Sequence, residues 1–128
     1  MNTPITPGSI APPAATYELA MRVPAQSELL HTAGIVGNRL DGSIAEDIGE
    51  QAAEMWRSVG EILAAAGFRT HDIVSYTTYA VAGHDVSRVM AARDAFLGDH
   101  RAASTLVPVP ALARPEWKVE VAVVAARS

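Results

Sequence analysis

Val119-Glu120-Val121-Ala122-Val123-Val124-Ala125 is the stretch on which the fold reading turns. β-branched residues dominate it, which favours a strand. Apart from Glu120 it is apolar at odd and even positions alike, as in a strand buried on both faces. Ile73 to Val81 reads the same way. Two strands of this kind need cover above and below. The chain offers only two helical segments, enough for one face of a sheet. The other face would be a large apolar patch, which soluble monomers seldom carry. A closed symmetric oligomer is the expected solution.

Working outward, Tyr17, Leu19, Met21 and Val23 alternate with Glu18, Ala20 and Arg22. That two-residue period predicts a strand with one buried face. Pro24 to Ser27 reads as a turn, Leu29 to Val36 as a second strand, and Asn38 to Gly42 as a loop. Ser43-Ile44-Ala45-Glu46 has the pattern of a capping box. Ile44, Ile48, Ala52, Met55, Val59, Ile62, Leu63 and Ala66 then form one helical stripe, closed by Gly67. Gly49 and Gly60 weaken this helix and would permit close packing against a sheet. Gly83-His84-Asp85 opens a second helix, with Val86, Val89, Met90, Arg93, Phe96 and Leu97 at helical spacing and Gly98 at its end. Ser104 to Val109 and Trp117 to Ala126 complete the strands. Pro108 and Pro110, two apart, lack donors on one side, which puts the first of these at a sheet edge. Asn2 to Ala15 is Pro-rich and allows only short edge-strand pieces. The order is strand, strand, helix, strand, helix, strand, strand: one α/β (α+β) domain over residues 1–128, with 1–15 as an N-terminal segment of it.

Composition excludes several functions. The formal charge is −4 and no Lys/Arg run occurs, so nucleic acid is not an expected partner. No cysteine is present, which removes disulfides, thiolate catalysis and Cys-ligated zinc. No apolar run approaches the roughly 20 residues of a membrane-spanning helix, and Met1 to Pro13 does not read as a secretory signal. A soluble cytoplasmic protein without a membrane partner is the expectation. No G-x-S-x-G element appears, and Gly34-Ile35-Val36-Gly37 is not a phosphate loop.

Glu120 is the most informative residue, because burying a carboxylate costs several kcal/mol unless it is paired. It either meets solvent or an Arg, or it serves as an acid/base facing a pocket. Tyr17, directly after the Pro/Ala-rich loop, is a packing residue or a phenol closing a pocket. Of the four histidines, His71, His84 and His100 read as solvated, His31 as a strand residue, and none has a metal-ligand companion. Met55, Trp56 and Phe96 read as core.

Several ordered pieces carry a resemblance to a known family: Ala11 to Tyr17, Leu29 to Gly34, Glu50-Gln51-Ala52, Ala64 to Gly67, Asp72 to Ser75, Arg93 to Gly98, Ala103 to Val109, and Arg114 to Ala122. Together they resemble the Rid family (reactive intermediate deaminases, also called YjgF) over about 110 residues. The resemblance implies a chorismate-mutase-like fold, a mixed sheet with two helices on one face, assembled as a homotrimer with small-metabolite sites between subunits. It implies imine hydrolysis with no metal or organic cofactor. Glu120 matches the family Glu and Tyr17 the family Tyr. Ser104, Thr105, Leu106, Met90 and Gly34 fall around the ligand, with Met90 where the family often has Asn. The family's carboxylate-binding Arg aligns with Ser104; Arg101 and Arg114 are outside candidates for its role. A pocket without that fork suits a ligand lacking a carboxylate, or one held by the Ser104 and Thr105 hydroxyls. Two readings follow: an imine or enamine deaminase-like hydrolase using Glu120, or a non-catalytic ligand-binding or stabilising member. Ribonuclease activity, attached to some relatives, is disfavoured by the acidic charge.

Overall fold

The computed structural model describes residues 1–128. Its strands are β1 (Thr3–Ile5), β2 (Ala20–Arg22), β3 (Glu28–His31), β4 (Ile35–Val36), β5 (Ile73–Val81), β6 (Ala103–Val109) and β7 (Val119–Arg127). The helices are α1 (Ile48–Ala65) and α2 (Val86–Leu97), with a single 3-10 turn at Thr70–Asp72. The main sheet runs β3-β7-β5-β6, with β4 also paired to β7. Only β5 and β6 are parallel, and α2 makes the crossover that such a pair needs. β6 lies at the edge, as its prolines require. This is the mixed sheet with two helices on one face that the sequence implies, and no helix is long and apolar enough to cross a membrane.

The central strand alternates. Val119, Val121 and Val123 are buried against the helices, while Glu120, Ala122 and Val124 are half-buried on the opposite, open face. On β5 the open face receives Ser75, Thr77, Tyr79 and Val81. The open face is therefore less apolar than the reading of two fully greasy strands anticipates. Hydroxyls alternate with small apolar groups, and a one-residue irregularity between Ile73 and Ser75 puts both Ile73 and Val74 inside.

Under the helices, Trp56 meets Tyr76 edge-on at 5.3 Å and stacks on Phe96 at 5.1 Å. Met55, Val59 and Leu63 complete the α1 stripe. Gly60 leaves room for the Phe96 ring and Gly49 for Arg88. These two glycines thus admit α2, rather than the sheet that the sequence suggested.

Local polar chemistry resets several boundaries. The Ser43 box does not cap α1, because the Ser43 hydroxyl and amide both bond to Asp41 Oδ1 at 2.7 and 2.9 Å. Such a side-chain turn competes with helix. Asp47 caps instead, accepting the Glu50 amide at 2.9 Å, and its carboxylate pairs with Arg88 of α2. Gly67, at φ +77°, follows the C-cap as expected. The strand expected from Tyr17 shrinks to Ala20–Arg22, because the Tyr17 and Glu18 amides are spent on Ala15 and Ala102 carbonyls. The single strand expected from Leu29 to Val36 breaks in two. Between the pairs His31↔Val124 and Ile35↔Val121 one strand advances four residues and the other three. That extra residue is a β-bulge at Ala33-Gly34. His100 is half-buried, its Nε2 2.8 Å from the Ile73 carbonyl oxygen, rather than solvated.

Gln51 ties the layers together. Fully buried on α1, it donates through Nε2 to the carbonyls of Ala45 (2.7 Å) and Glu116 (2.9 Å) and accepts the Lys118 amide at Oε1 (2.9 Å). Gly37 lies against the Gln51 backbone, where a Cβ would come within 2.9 Å of Gln51 Cα. Replacing Gln51 with Leu strands two carbonyls and an amide in the interior. At about 1–3 kcal/mol per unsatisfied group, urea unfolding should show a loss of roughly 3 kcal/mol or more. A loss under about 1 kcal/mol would mean the clamp matters little.

Candidate functional site

Two separate regions carry the residues singled out in the sequence. The first is on the open face. Val36, Glu120, Tyr79 and Val107 form one row across β4, β7, β5 and β6. The Glu120 carboxylate folds back over the bulge. A Cβ built on Gly34 would lie 2.7 Å from Glu120 Cδ and closer still to Oε2. A side chain at Gly34 would thus make the Glu120 carboxylate swing aside, and the structure brings Glu120 and Gly34 together. The carboxylate makes no hydrogen bond or ion pair within the subunit.

The second region is the β6 edge. Glu18 bridges Ala103, and the Tyr17 hydroxyl accepts the Ala14 amide at 3.3 Å, so the ring folds over its own loop. Ala103 is four residues before Val107, in Glu120's row, and β6 is two strands from β7. That separates Tyr17 from Glu120 by about 13 Å along the strands and about 10 Å across them. One subunit does not bring them together. Pleating also splits Ser104, Thr105 and Leu106. Ser104 pairs with Tyr76 and Leu106 with Thr78, both on the helix side, whereas Thr105 pairs with Thr77 on the open face. Met90, half-buried on α2, belongs to the helix layer.

Sequence reading missed Arg93. It is buried on α2, with a side chain 10% exposed. Its Nε donates to Asp94 Oδ1 at 3.0 Å and its Nη2 to Thr16 Oγ1 at 2.8 Å, while Thr16 donates to the same Asp94 oxygen at 2.9 Å. This closed triangle ties the loop before Tyr17 to α2. The available signal was an arginine on an otherwise apolar helical stripe. Beside it the Tyr76 hydroxyl is buried without a hydrogen bond. Burial raises its pKa, opposed by Ser104 and Arg93. Arg114 instead lies over the Trp117 ring at 5.6 Å, before β7. Arg101 is close enough to Asp94 to act on it, and also lines a polar cleft of about 730 Å³ with Arg69, His71, His100 and Arg127. Of the residues named from the sequence that cleft contains Arg101, His71 and His100, but not Glu120, Tyr17, Ser104, Thr105, Leu106, Met90 or Gly34. No group of three His, Cys, Asp or Glu side chains is arranged to hold a metal.

Two predictions follow from this geometry. Gly34→Ala should cost about 1 kcal/mol or less, because the flexible Glu120 carboxylate can move away, and Glu120→Ala should remove what penalty remains. A double-mutant cycle in urea reads the coupling, and additive effects would disprove the contact. For Asp94, burial works to raise the pKa, but hydrogen bonds from Arg93 and Thr16 and the charges of Arg93 and Arg101 outweigh it and lower the value below 3.8. A lowered folded-state pKa stabilises the triangle fully above the unfolded value, and the contribution disappears as pH falls through the folded one. Hydrogen exchange at the Glu18 amide should therefore gain protection relative to intrinsic rates above about pH 4. Asp94→Asn should flatten the dependence.

Comparison with known proteins gives a consistent picture. The model of a family described as Endoribonuclease L-PSP matches residues 9–127. A 2-iminobutanoate/2-iminopropanoate deaminase of Salmonella typhimurium is 34% identical over 89 residues, covering 67% of this chain and 69% of that protein. Among solved structures, a Rid-family protein of unknown function from Yersinia pestis, YyfB, superposes with a TM-score of 0.87 at 27% identity over 98% of both chains. TdcF of E. coli, solved with bound serine, gives 0.74 at 23% identity over 98% of this chain and 99% of its own.

Proposed function

This chain belongs to the Endoribonuclease L-PSP family, the Rid or YjgF family of its structural relatives, and on that premise we propose that it forms a homotrimer binding a small imine, enamine or related carbonyl metabolite in clefts between subunits. The observation that carries this is the division of the site. Glu120 and Gly34 lie on the open face, Tyr17 and Ser104 at a distant edge, and Glu120 has no partner in its own subunit. A neighbouring copy laid on the open face would cover its half-buried row and bring the edge of one subunit to the carboxylate of the next.

The chemistry is hydrolysis of a C=N bond. Water oxygen bonds to the imine carbon while Glu120 takes a proton from it. That proton passes to nitrogen, giving a carbinolamine; its hydroxyl proton then moves to nitrogen, again by way of Glu120, the C–N bond breaks as C=O forms, and a carbonyl compound and ammonia leave. The printed activity of the Salmonella relative supports this reading. Ser104 at the position aligned with the family's Arg favours a second one, a binding or stabilising subunit without deaminase activity. The family description mentions an endoribonuclease, but a net charge of −4 and the lack of any Lys/Arg run in the sequence disfavour a phosphate backbone as partner.

Two measurements test the proposal. Sedimentation equilibrium should give three times the 13.5 kDa chain mass; a stable monomer at micromolar concentration rules out the shared cleft. With 2-imino acids generated by an amino-acid oxidase, the protein should speed imine loss above buffer, and Glu120→Gln should reduce the gain about 100-fold or more. A wild-type rate equal to buffer selects the non-catalytic reading. An unchanged Glu120→Gln rate removes Glu120 from the mechanism.

A further inference from the structure

The polar cleft of about 730 Å³ takes in neither Glu120 nor Tyr17, and it is large enough for a small metabolite. Its cations come from three places. Arg69 and His71 lie in the turn between α1 and β5, His100 and Arg101 in the turn between α2 and β6, and Arg127 at the end of β7. β5 and β6 run parallel, so the turns that enter them lie side by side, and the His71 and His100 rings approach to 5.2 Å. Arg127 is seated: its Nη1 donates to the Gly67 carbonyl at 2.7 Å and its head lies over the Phe68 ring at 5.2 Å. The guanidiniums of Arg69 and Arg101 are exposed, and neither is ion-paired. Acids line the cleft as well, but two of the three are engaged elsewhere. Asp72 accepts the Arg69 backbone amide at 2.7 Å, and Asp99 lies 3.4 Å from His71 Nε2. Only the Glu18 carboxylate is left to face two open guanidinium forks.

We propose that this cleft is a second ligand site, which binds the phosphate group of a small phosphorylated metabolite. Arg69 and Arg101 supply the two forks, and Arg127 adds positive charge. Guanidiniums arriving from separate turns suit a tetrahedral dianion, which offers acceptors in several directions, whereas a carboxylate offers its two in one plane. The neighbouring acids disfavour a long phosphodiester backbone, which needs an extended run of cations. Imine hydrolysis uses none of these residues. Glu18 nevertheless links the two sites: it lines the cleft and immediately follows Tyr17. A phosphate held here would sit beside the segment that carries the candidate phenol.

The test uses pyrophosphate as the probe, titrated calorimetrically into the full chain in chloride buffer at about 0.1 M ionic strength. It should bind with a Kd below about 1 mM. Citrate at the same ionic strength should bind at least about 10-fold more weakly. Arg69→Met combined with Arg101→Met should weaken pyrophosphate about 30-fold or more. Arg57→Met, on α1 outside the cleft, should leave it within about twofold. Amide NMR shifts on adding pyrophosphate should gather at Arg69, His71, His100 and Arg101. Circular dichroism checks folding. If the double variant does not fold, each single substitution should still weaken pyrophosphate about fivefold. Absence of binding by the wild type, citrate binding as tightly as pyrophosphate, wild-type affinity in the folded arginine variants, or shifts centred on Glu120 would each overturn the assignment. None of these readouts depends on imine turnover, so their failure leaves the reading of the inter-subunit cleft untouched.

Discussion

The buried amide of Gln51 sets where the functional strand begins. By holding the Glu116 carbonyl and the Lys118 amide, α1 decides at which residue β7 enters the sheet. Because side chains alternate, a slip of one residue would turn Glu120 inward and a valine outward. Everything on the open face depends on that register. The same helix residue takes the Ala45 carbonyl, and its backbone receives Gly37. Helix start and β7 are therefore positioned by one side chain with both its donors used, and the end of β4 by the backbone of the same residue.

The bulge at Ala33-Gly34 is the second local device. It lets β3 and β4 pair with the same strand while lifting a side-chain-free position under the Glu120 carboxylate. Bulges bend strands and re-aim neighbouring groups. Here the result is a carboxylate held against backbone, without a compensating cation on its own subunit. The opposite edge has the complementary character: guanidiniums, hydroxyls and a tethered phenol.

Much of the fold was legible in the sequence. Continuous apolar, β-branched runs marked β5 and β7, three-to-four spacing marked α2 and the body of α1, and Pro108 and Pro110 at the end of β6 marked its edge position. The misreadings share a cause. Ser43 and the amides of Tyr17 and Glu18 bond to partners that a periodic pattern does not encode. The bulge was hidden because one extra residue leaves composition unchanged. Glu120 stood out because a charge interrupted an apolar run. Arg93 interrupts a helical stripe in the same way, yet was counted only as one of the residues at helical spacing, and long cationic side chains often line such stripes without being buried. Only the Thr16 and Asp94 contacts, from segments 77 residues apart and adjacent in chain, reveal that its head is inside.

The position of β7 has a consequence for how the chain comes to be folded. It is the central strand, contacting β3, β4 and β5, yet it follows all of them in sequence. During synthesis α1, β5, α2 and β6 emerge with a gap where their middle member belongs. Helix-side residues such as Ile73 and Tyr76 then have no strand on one flank, and the bulged segment has nothing to pair with. Such late, long-range closure makes for slow assembly and for exposed strand edges in the nascent chain. Growing polypeptides on crowded ribosomes would meet one another in that state, so the nine residues of β7 act as a seal against tangling as well as the middle of the sheet.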